Sequence, residues 1–281
     1  MLVSMHELLQ DAEKNNYAVG GFNCPTLENV YGVIQAAEAG RSPVILSFPQ
    51  VHEKTVPLSV IAPILLHAAK EASVPVCVHL DHGSSIDYIE KALKLGFNSV
   101  MYDGSRMSLE ENIRNTRAVV EMASAYGADV EAELGGISGD EAGISLGDSP
   151  EAKLTVPEEA ERFVRETGVT SLAASIGTAH GFYTEEPKID FERIDTIHRL
   201  TGVPLVMHGG SGVSEEDYHR AIGLGIRKIN YYSYMAKAGT DAIKNLLAVK
   251  DVKYFHELSL AARDAMAADV ENALKLFANS K

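Results

Sequence analysis

Positive charge is scarce in this sequence. Its 25 lysines and arginines face 39 aspartates and glutamates, for a net charge of −14. Such a field repels the phosphate backbone of nucleic acid and the anionic face of a membrane, so neither is expected as a partner. A bound phosphate group must instead meet local backbone amides. Cysteine is nearly absent too: only Cys24 and Cys77 occur, with no metal-ligand or redox spacing. Free thiols in a reducing cytosol are the expectation, and hence a cytoplasmic protein. The N-terminus lacks a basic segment followed by an apolar one, so no secretory signal is expected. No apolar run approaches the ~20 residues of a membrane span.

What the sequence does have is rhythm. Its 281 residues, 46% of them hydrophobic, can fill one large core. Met1–Asn15 reads as a short amphipathic helix, with Leu2, Met5, Leu8 and Leu9 at helical spacing. Eight short apolar runs follow: Ala18–Phe22, Val44–Phe48, Val76–Leu80, Ser99–Tyr102, Asp129–Glu133, Ser171–Ile176, Leu205–His208 and Lys228–Tyr231. Amphipathic segments alternate with them, from Leu27–Ala39 to Glu215–Leu224, and glycines such as Gly40, Gly96, Gly168 and Gly225 stop these segments just before the next run. Eight β-then-α units without a composition break predict a single (β/α)8 TIM barrel over residues 1–281. A doubly wound sheet would want a glycine-rich first turn, which is missing. Two helices end the chain, Tyr234–Ala248 and Val252–Phe277. The last either caps the barrel or forms a subunit interface.

Chemistry in such barrels gathers at the C-terminal ends of the strands. The third run ends in His79, Asp81 and His82, ionisable groups that a buried strand has no folding reason to carry. Alternation puts His79 and Asp81 on one face, with His82 starting the loop. The other ends offer Asn23, Asp103, Glu131, Glu133, His180, His208 and Asn230. One histidine would be an ordinary core or loop residue. Three of them, His82, His180 and His208, each followed by glycine on a different strand, match the ligand count of a catalytic zinc. His208-Gly209-Gly210-Ser211-Gly212 and the segment Asn230 to Ser233 stand where barrels bind phosphate. The connection Leu134 to Thr155 is long, acidic and glycine-rich, as expected of a mobile active-site loop. Lys228 opens the eighth run and reads as structural; no obvious buried lysine is offered for a Schiff base.

Taken together, Gly21-Phe22-Asn23, His79-Leu80-Asp81-His82-Gly83, Tyr102-Asp103-Gly104-Ser105, Val130-Glu131-Ala132-Glu133-Leu134-Gly135, Ile176-Gly177-Thr178-Ala179-His180-Gly181, His208-Gly209-Gly210-Ser211-Gly212 and Lys228-Ile229-Asn230 resemble the class II, metal-dependent ketose-bisphosphate aldolases. This group includes fructose- and tagatose-bisphosphate aldolases, and the similarity runs nearly the full length. The resemblance implies a lyase of carbohydrate metabolism, such as glycolysis, that cleaves a ketose bisphosphate to dihydroxyacetone phosphate and an aldehyde. It implies one Zn²⁺ per subunit on His82, His180 and His208, with Asp103 and Glu133 at positions that can hold a second metal. It also implies a monovalent cation, Na⁺ or K⁺. Asp81 matches the acid/base at the C4 hydroxyl, and Glu141 the group that moves the proton at the triose carbon. Asn23, Gly181, Gly209, Gly210, Ser211, Asn230 and Ser233 match contacts to the triose and its phosphate. A homodimer or homotetramer is implied, with an accessory subunit for a tagatose-type enzyme.

Some positions depart from the pattern. Pro49-Gln50 stands where the family has a Ser or Thr facing substrate, and Tyr231, Tyr232 and Tyr234 surround Ser233. An Asp-Pro-Arg before the last helix is replaced by Asp251-Val252-Lys253. These changes concern the aldehyde half. Two other functions fit parts of the sequence. A metal-dependent hydrolase on the same barrel would typically want a His-x-His pair, where this chain has His79-x-Asp81. A non-catalytic phosphosugar-binding or accessory subunit would need neither Asp81 nor Glu141.

Overall fold

The structure is a computed structural model that describes residues 1–137, 139–141, 144–145 and 153–279; for residues 140, 141, 144 and 145 it describes the backbone alone. Its centre is a closed, parallel eight-stranded barrel. The first five strands are β1 (Val19–Asn23), β2 (Val44–Pro49), β3 (Val76–Gly83), β4 (Ser99–Tyr102) and β5 (Asp129–Leu134). A short antiparallel hairpin, β6 (Asp140–Glu141) and β7 (Ile144–Ser145), lies in the connection expected to be a plain loop. The barrel then continues with β8 (Ser171–Ala174), β9 (Leu205–Met207) and β10 (Ile226–Tyr231). β10 closes on β1 with Gly21 opposite Asn230. These strands form because Val, Ile, Leu and Ala dominate them and both faces are covered, by the barrel interior and by helices.

The helices are α1 (Met5–Asn15), α2 (Leu27–Gly40), α3 (Leu58–Glu71), α4 (Ile86–Leu95), α5 (Leu109–Ser124), α6 (Pro157–Thr167), α7 (Phe191–Thr201), α8 (Glu215–Gly223), α9 (Ser233–Val249) and α10 (Phe255–Phe277). Their ends follow local chemistry. Ser108 and Glu111 form a reciprocal capping box at the start of α5, and Gly96 ends α4 at φ +101°, a left-handed backbone that glycine adopts without penalty. A 3₁₀ turn at Gln50–Lys54 follows β2 and was not foreseen.

The two ends of the barrel differ. At the N-terminal end Leu2 bridges to Val76, so α1 starts only at Met5, capped by Ser4, rather than at Met1. Met5, Leu8, Leu9 and Ala12 then pack on Val19, Ile45 and Cys77. Burying each of the larger side chains contributes roughly 1.5–3 kcal/mol. That plug leaves the C-terminal end as the open mouth. α10 turns its buried residues, Val270, Leu274 and Phe277 among them, onto the barrel and lies against α2, α8 and α9, completing the ring of helices. No helix among the described residues is long and apolar enough to cross a membrane.

Candidate active site

β3 positions the first histidine by breaking its own regularity. It runs to Gly83, three residues past the expected end, and its register to β4 shifts between Leu80 and Gly83. His82 has φ +45°, an uncommon conformation for a residue with a Cβ. His82 is therefore part of a bulged strand and not the start of a loop. Regular alternation would send Asp81 and His82 to opposite faces. The bulge lets both reach the barrel mouth.

His82, His180 and His208 converge there. Their ring centroids are 5.1, 4.6 and 5.6 Å apart, and a ligand atom from each lies within 4.8 Å of the others. Carboxylates behind two of them set which nitrogen faces inward. His82 Nδ1 pairs with Asp103 Oδ2 at 3.1 Å, and Asp103 is itself held by the Ser105 hydroxyl at 2.6 Å. His208 Nε2 pairs with Glu131 Oε1 at 3.0 Å. With protons on those outer nitrogens, His82 Nε2 and His208 Nδ1 turn bare lone pairs toward each other at 2.9 Å. Two facing lone pairs repel unless a cation lies between them. Both ring nitrogens of His180 are buried without a hydrogen-bond partner. Burial lowers the pKa of His208, and burial together with the other two histidines lowers that of His180 much further, so both favour the neutral, ligating form. The donor set fits a tetrahedral Zn²⁺ with one position left open. Glu133 Oε2 lies 3.6 Å from His208 Nδ1 and 4.0 Å from His82 Nδ1, and Glu133, Asp103 and His82 form a second group with metal-ligand spacing.

Asp81 stands beside this centre, 1% exposed. Asn230 Nδ2 donates to its two carboxylate oxygens at 3.2 and 3.3 Å. Burial opposes its charge, but His82, Lys228, His208 and His79 around it prevail and hold the carboxyl below its usual range. An ionised carboxylate beside an open metal position is poised to take a proton from substrate.

On the β1, β9 and β10 side a recess of about 30 Å³ is lined by Asn23, Asp81, Gly181, Gly209, Ser211 and Ser233, among others. Two helices point their N-termini near this side of the mouth, and they differ. α8 begins behind the Ser214 cap with Glu215, Glu216 and Asp217 in its first turn, an end that repels anions. α9 begins at Ser233 with no side-chain cap and no acid in its first turn, so its amides stay open to a phosphate.

The sequence matches the family described as class-II fructose-bisphosphate aldolase over residues 3–281. The chain belongs to this family. It is 40% identical over 276 residues to the sulfofructosephosphate aldolase of Alkalicoccus urumqiensis, covering 98% of this chain and 96% of that one. It is 41% identical over 287 residues to the fructose-bisphosphate aldolase of Geobacillus stearothermophilus, covering 99% and 98%. The crystal structure of the YdjI aldolase from Escherichia coli K12 superposes with a TM-score of 0.88 at 36% identity, over 99% of this chain and 97% of that one. The chain is thus a lyase of the aldolase type, in place of the hydrolase or binding subunit that the sequence also allowed.

Two of the aldolase's expected site residues stand apart from the rest. Gly210 does not line the recess; its amide donates to the Asn230 carbonyl at 3.0 Å, which leaves it no hydrogen for a phosphate. Glu141 has its backbone in β6, and its side chain lies outside the described residues, as does most of the expected mobile loop.

Other residues were missed or misread. Lys228 is fully buried inside the barrel, contrary to the expectation that no strand presents such a lysine. Its Nζ lies 2.7 Å from Glu131 Oε2, so the ammonium offsets a buried carboxylate rather than serving as a nucleophile. Burial would raise the pKa of Glu131, yet Lys228, with His208 and His79, holds it at about 2. Below the metal centre, His79 Nδ1 meets the Ser99 hydroxyl at 2.8 Å. Burial, then the nearby ammonium, push its pKa down to about 3, which makes it a neutral core residue. Tyr183 escaped sequence reasoning altogether. Its hydroxyl accepts from the Ala179 amide at 2.9 Å and donates to the Gly209 carbonyl at 2.7 Å. It thereby ties the loop that carries His180 to the loop that follows His208.

Proposed function

We propose that this aldolase is zinc-dependent and reversibly cleaves a phosphorylated ketose to dihydroxyacetone phosphate and an aldehyde, in carbohydrate metabolism. His82, His180 and His208 would hold the ion. A bound Zn²⁺ supplies a Lewis acid for the ketone and stabilises the negative charge that carbon–carbon cleavage leaves behind. Asp81 takes the proton of the C4 hydroxyl, held in line by Asn230. As the C4 oxygen becomes the aldehyde carbonyl, the C3–C4 bond breaks and its electron pair stays with the triose as an enediolate. Glu141 then gives a proton to C3, which completes dihydroxyacetone phosphate. Asn23 and Ser211 orient the triose, and the amides of Gly181, Gly209 and Ser233 at the start of α9 receive its phosphate.

Convergence of three histidines, one in β3 and two from the segments after β8 and β9, beside a buried, ionised Asp81 carries this reading. Relatives named for fructose bisphosphate and for sulfofructose phosphate support the substrate class. Two buried free cysteines suit a reducing cytoplasm, where we place the enzyme as a homodimer or homotetramer. The test is a triose-release assay on fructose and tagatose 1,6-bisphosphate, with chelator-stripped protein and graded Zn²⁺, alongside elemental analysis of the purified protein. Activity that follows bound zinc one to one is the expected result. Full activity in metal-free protein would refute zinc dependence.

A further inference from the structure

We infer that the Lys228 ammonium is a built-in cation that keeps a divalent ion off Asp81. It fills a second, buried cation site made by His79, Asp81 and Glu131. The inference rests on the reading of Asp81 as the base and makes Lys228 a positioning residue for it. One ligand atom from each of the three residues lies within 4.8 Å of the others, a group distinct from the three histidines and from His82, Asp103 and Glu133. His79 Nε2 is 3.9 Å from Asp81 Oδ1 and 3.8 Å from Glu131 Oε2. Two donors on one Zn²⁺, each about 2.0–2.2 Å from it, stand up to roughly 4 Å apart, so small shifts would close this set on an ion. His79 and Glu131 are fully buried and Asp81 is 1% exposed. An imidazole and two carboxylates away from water need a cation among them.

Lys228 supplies it. Its Nζ lies 2.7 Å from Glu131 Oε2 and 3.4 Å from His79 Nε2. The Ser99 hydroxyl, 2.8 Å from His79 Nδ1, sets the ring: a proton on Nδ1 leaves the Nε2 lone pair facing the ammonium. Burial opposes the charge of Asp81, and His82, then Lys228, are the groups that sustain it most. Gly21 makes room for the lysine stem, since an added Cβ there would lie 3.2 Å from Lys228 Cε. The kind of cation matters for the chemistry. An ammonium offsets charge and donates hydrogen bonds, but takes no oxygen lone pair into a coordinate bond. A divalent ion would take one, and Asp81 would lose the basicity that proton abstraction needs. It would also bind the carboxylate that orients His208 through Oε1. With Lys228 in place, Asp81 stays charged and uncoordinated beside the histidine centre.

The test is the zinc content of Lys228→Ala after dialysis against excess Zn²⁺ and removal of free ion. Anomalous diffraction at the zinc edge places each ion. We expect one more ion than in the unmodified protein, lying among His79, Asp81 and Glu131. As that ion loads, ketose cleavage should fall ~10²–10⁴-fold, the worth of a positioned base. Lys228→Ala/Asp81→Asn should lose the extra ion and keep the one on the histidines. An unchanged zinc content, or an extra ion located elsewhere, would overturn the inference. Failure of Lys228→Ala to fold in zinc-supplemented medium would overturn it too, because the inference requires a divalent ion to stand in for the ammonium. The unmodified protein separates this from the reading above. If it carries zinc on the three histidines and Lys228→Ala gains none, the inference fails alone. If the histidines hold no zinc, the zinc-dependent reading fails and takes the inference with it.

Discussion

At one end of the site, a recess of about 30 Å³ is walled by Gly181, Gly209, Ser211 and the start of α9. At the other, a cavity of about 930 Å³ is walled by the side chains of Gln50, Lys54 and Arg106, with the histidines between. The first combines two glycines and the start of α9 with the side chains of Asn23, Asp81, Ser211 and Asn230. At Gly209, φ is +65° and an added Cβ would lie 2.1 Å from the Ala179 carbonyl oxygen, so nothing larger fits. Such an end suits a constant fragment, because its glycines leave no room for a larger residue. The second end is built from side chains on loops, which substitution changes without disturbing the barrel. A common triose and a variable aldehyde are what this division of materials suits.

The largest expected effect removes both ends together. His208→Ala or His180→Ala should abolish bound zinc, ketose cleavage and triose proton exchange, while circular dichroism reports an intact barrel. Retained zinc with lost activity would instead make the histidine a substrate contact. Next is Asp81→Ala, which should split the ends. Cleavage should fall ~10²–10⁴-fold, the worth of a positioned acid/base, while zinc content and triose exchange persist. Loss of the metal would show Asp81 to be a ligand.

A smaller effect is expected beneath the centre, where neither end is touched. Glu131→Gln leaves the Lys228 ammonium buried beside a neutral amide and frees His208 to change tautomer. We expect zinc affinity to fall about 10–100-fold and stability by about 3–5 kcal/mol. The double variant Glu131→Leu/Lys228→Met should regain most of the stability without regaining zinc affinity, because the buried charges leave as a pair while His208 stays unbuttressed. Stability and affinity recovering together would mean that Glu131 serves folding alone.

The barrel was legible because its signal repeats: eight apolar runs and a series of glycine stops agree, and errors at single boundaries do not alter the topology. The histidines were legible because each precedes a glycine at the C-terminal side of the barrel, although only His82 lies in a strand; His208 follows β9 directly and His180 lies in the loop after β8. The polar core was not. Lys228 lies two residues inside β10, and only closure of the barrel brings it to Glu131, 97 residues away. His82 was read as loop because alternation assumes a regular strand, and the bulge depends on pairing with β4. The pair of cations lining the larger cavity was equally hidden. Lys54 and Arg106 carry no motif, and their relation exists only once β2 and β4 stand on either side of β3.

The smallest predicted effect concerns Tyr183, and it asks whether the small recess is as rigid as Gly181 and Gly209 suggest. The tyrosine hydroxyl is the sole side-chain tie between the Ala179 amide and the Gly209 carbonyl among the described residues. Burial pushes its pKa up to about 12, so it remains a hydrogen-bond donor throughout the neutral range. Tyr183→Phe keeps the ring and removes the tie, leaving two half-buried backbone groups to find water. A neutral hydrogen bond contributes about 0.5–1.5 kcal/mol, so a severalfold change is the scale to look for. If the tie sets the recess, KM for dihydroxyacetone phosphate should rise severalfold in the addition reaction, zinc affinity should weaken slightly, and KM for the aldehyde should stay put. A loss of stability with an unchanged ratio of the two KM values would show that Tyr183 only braces the fold, and that Gly209 and Ala179 hold the recess by packing alone.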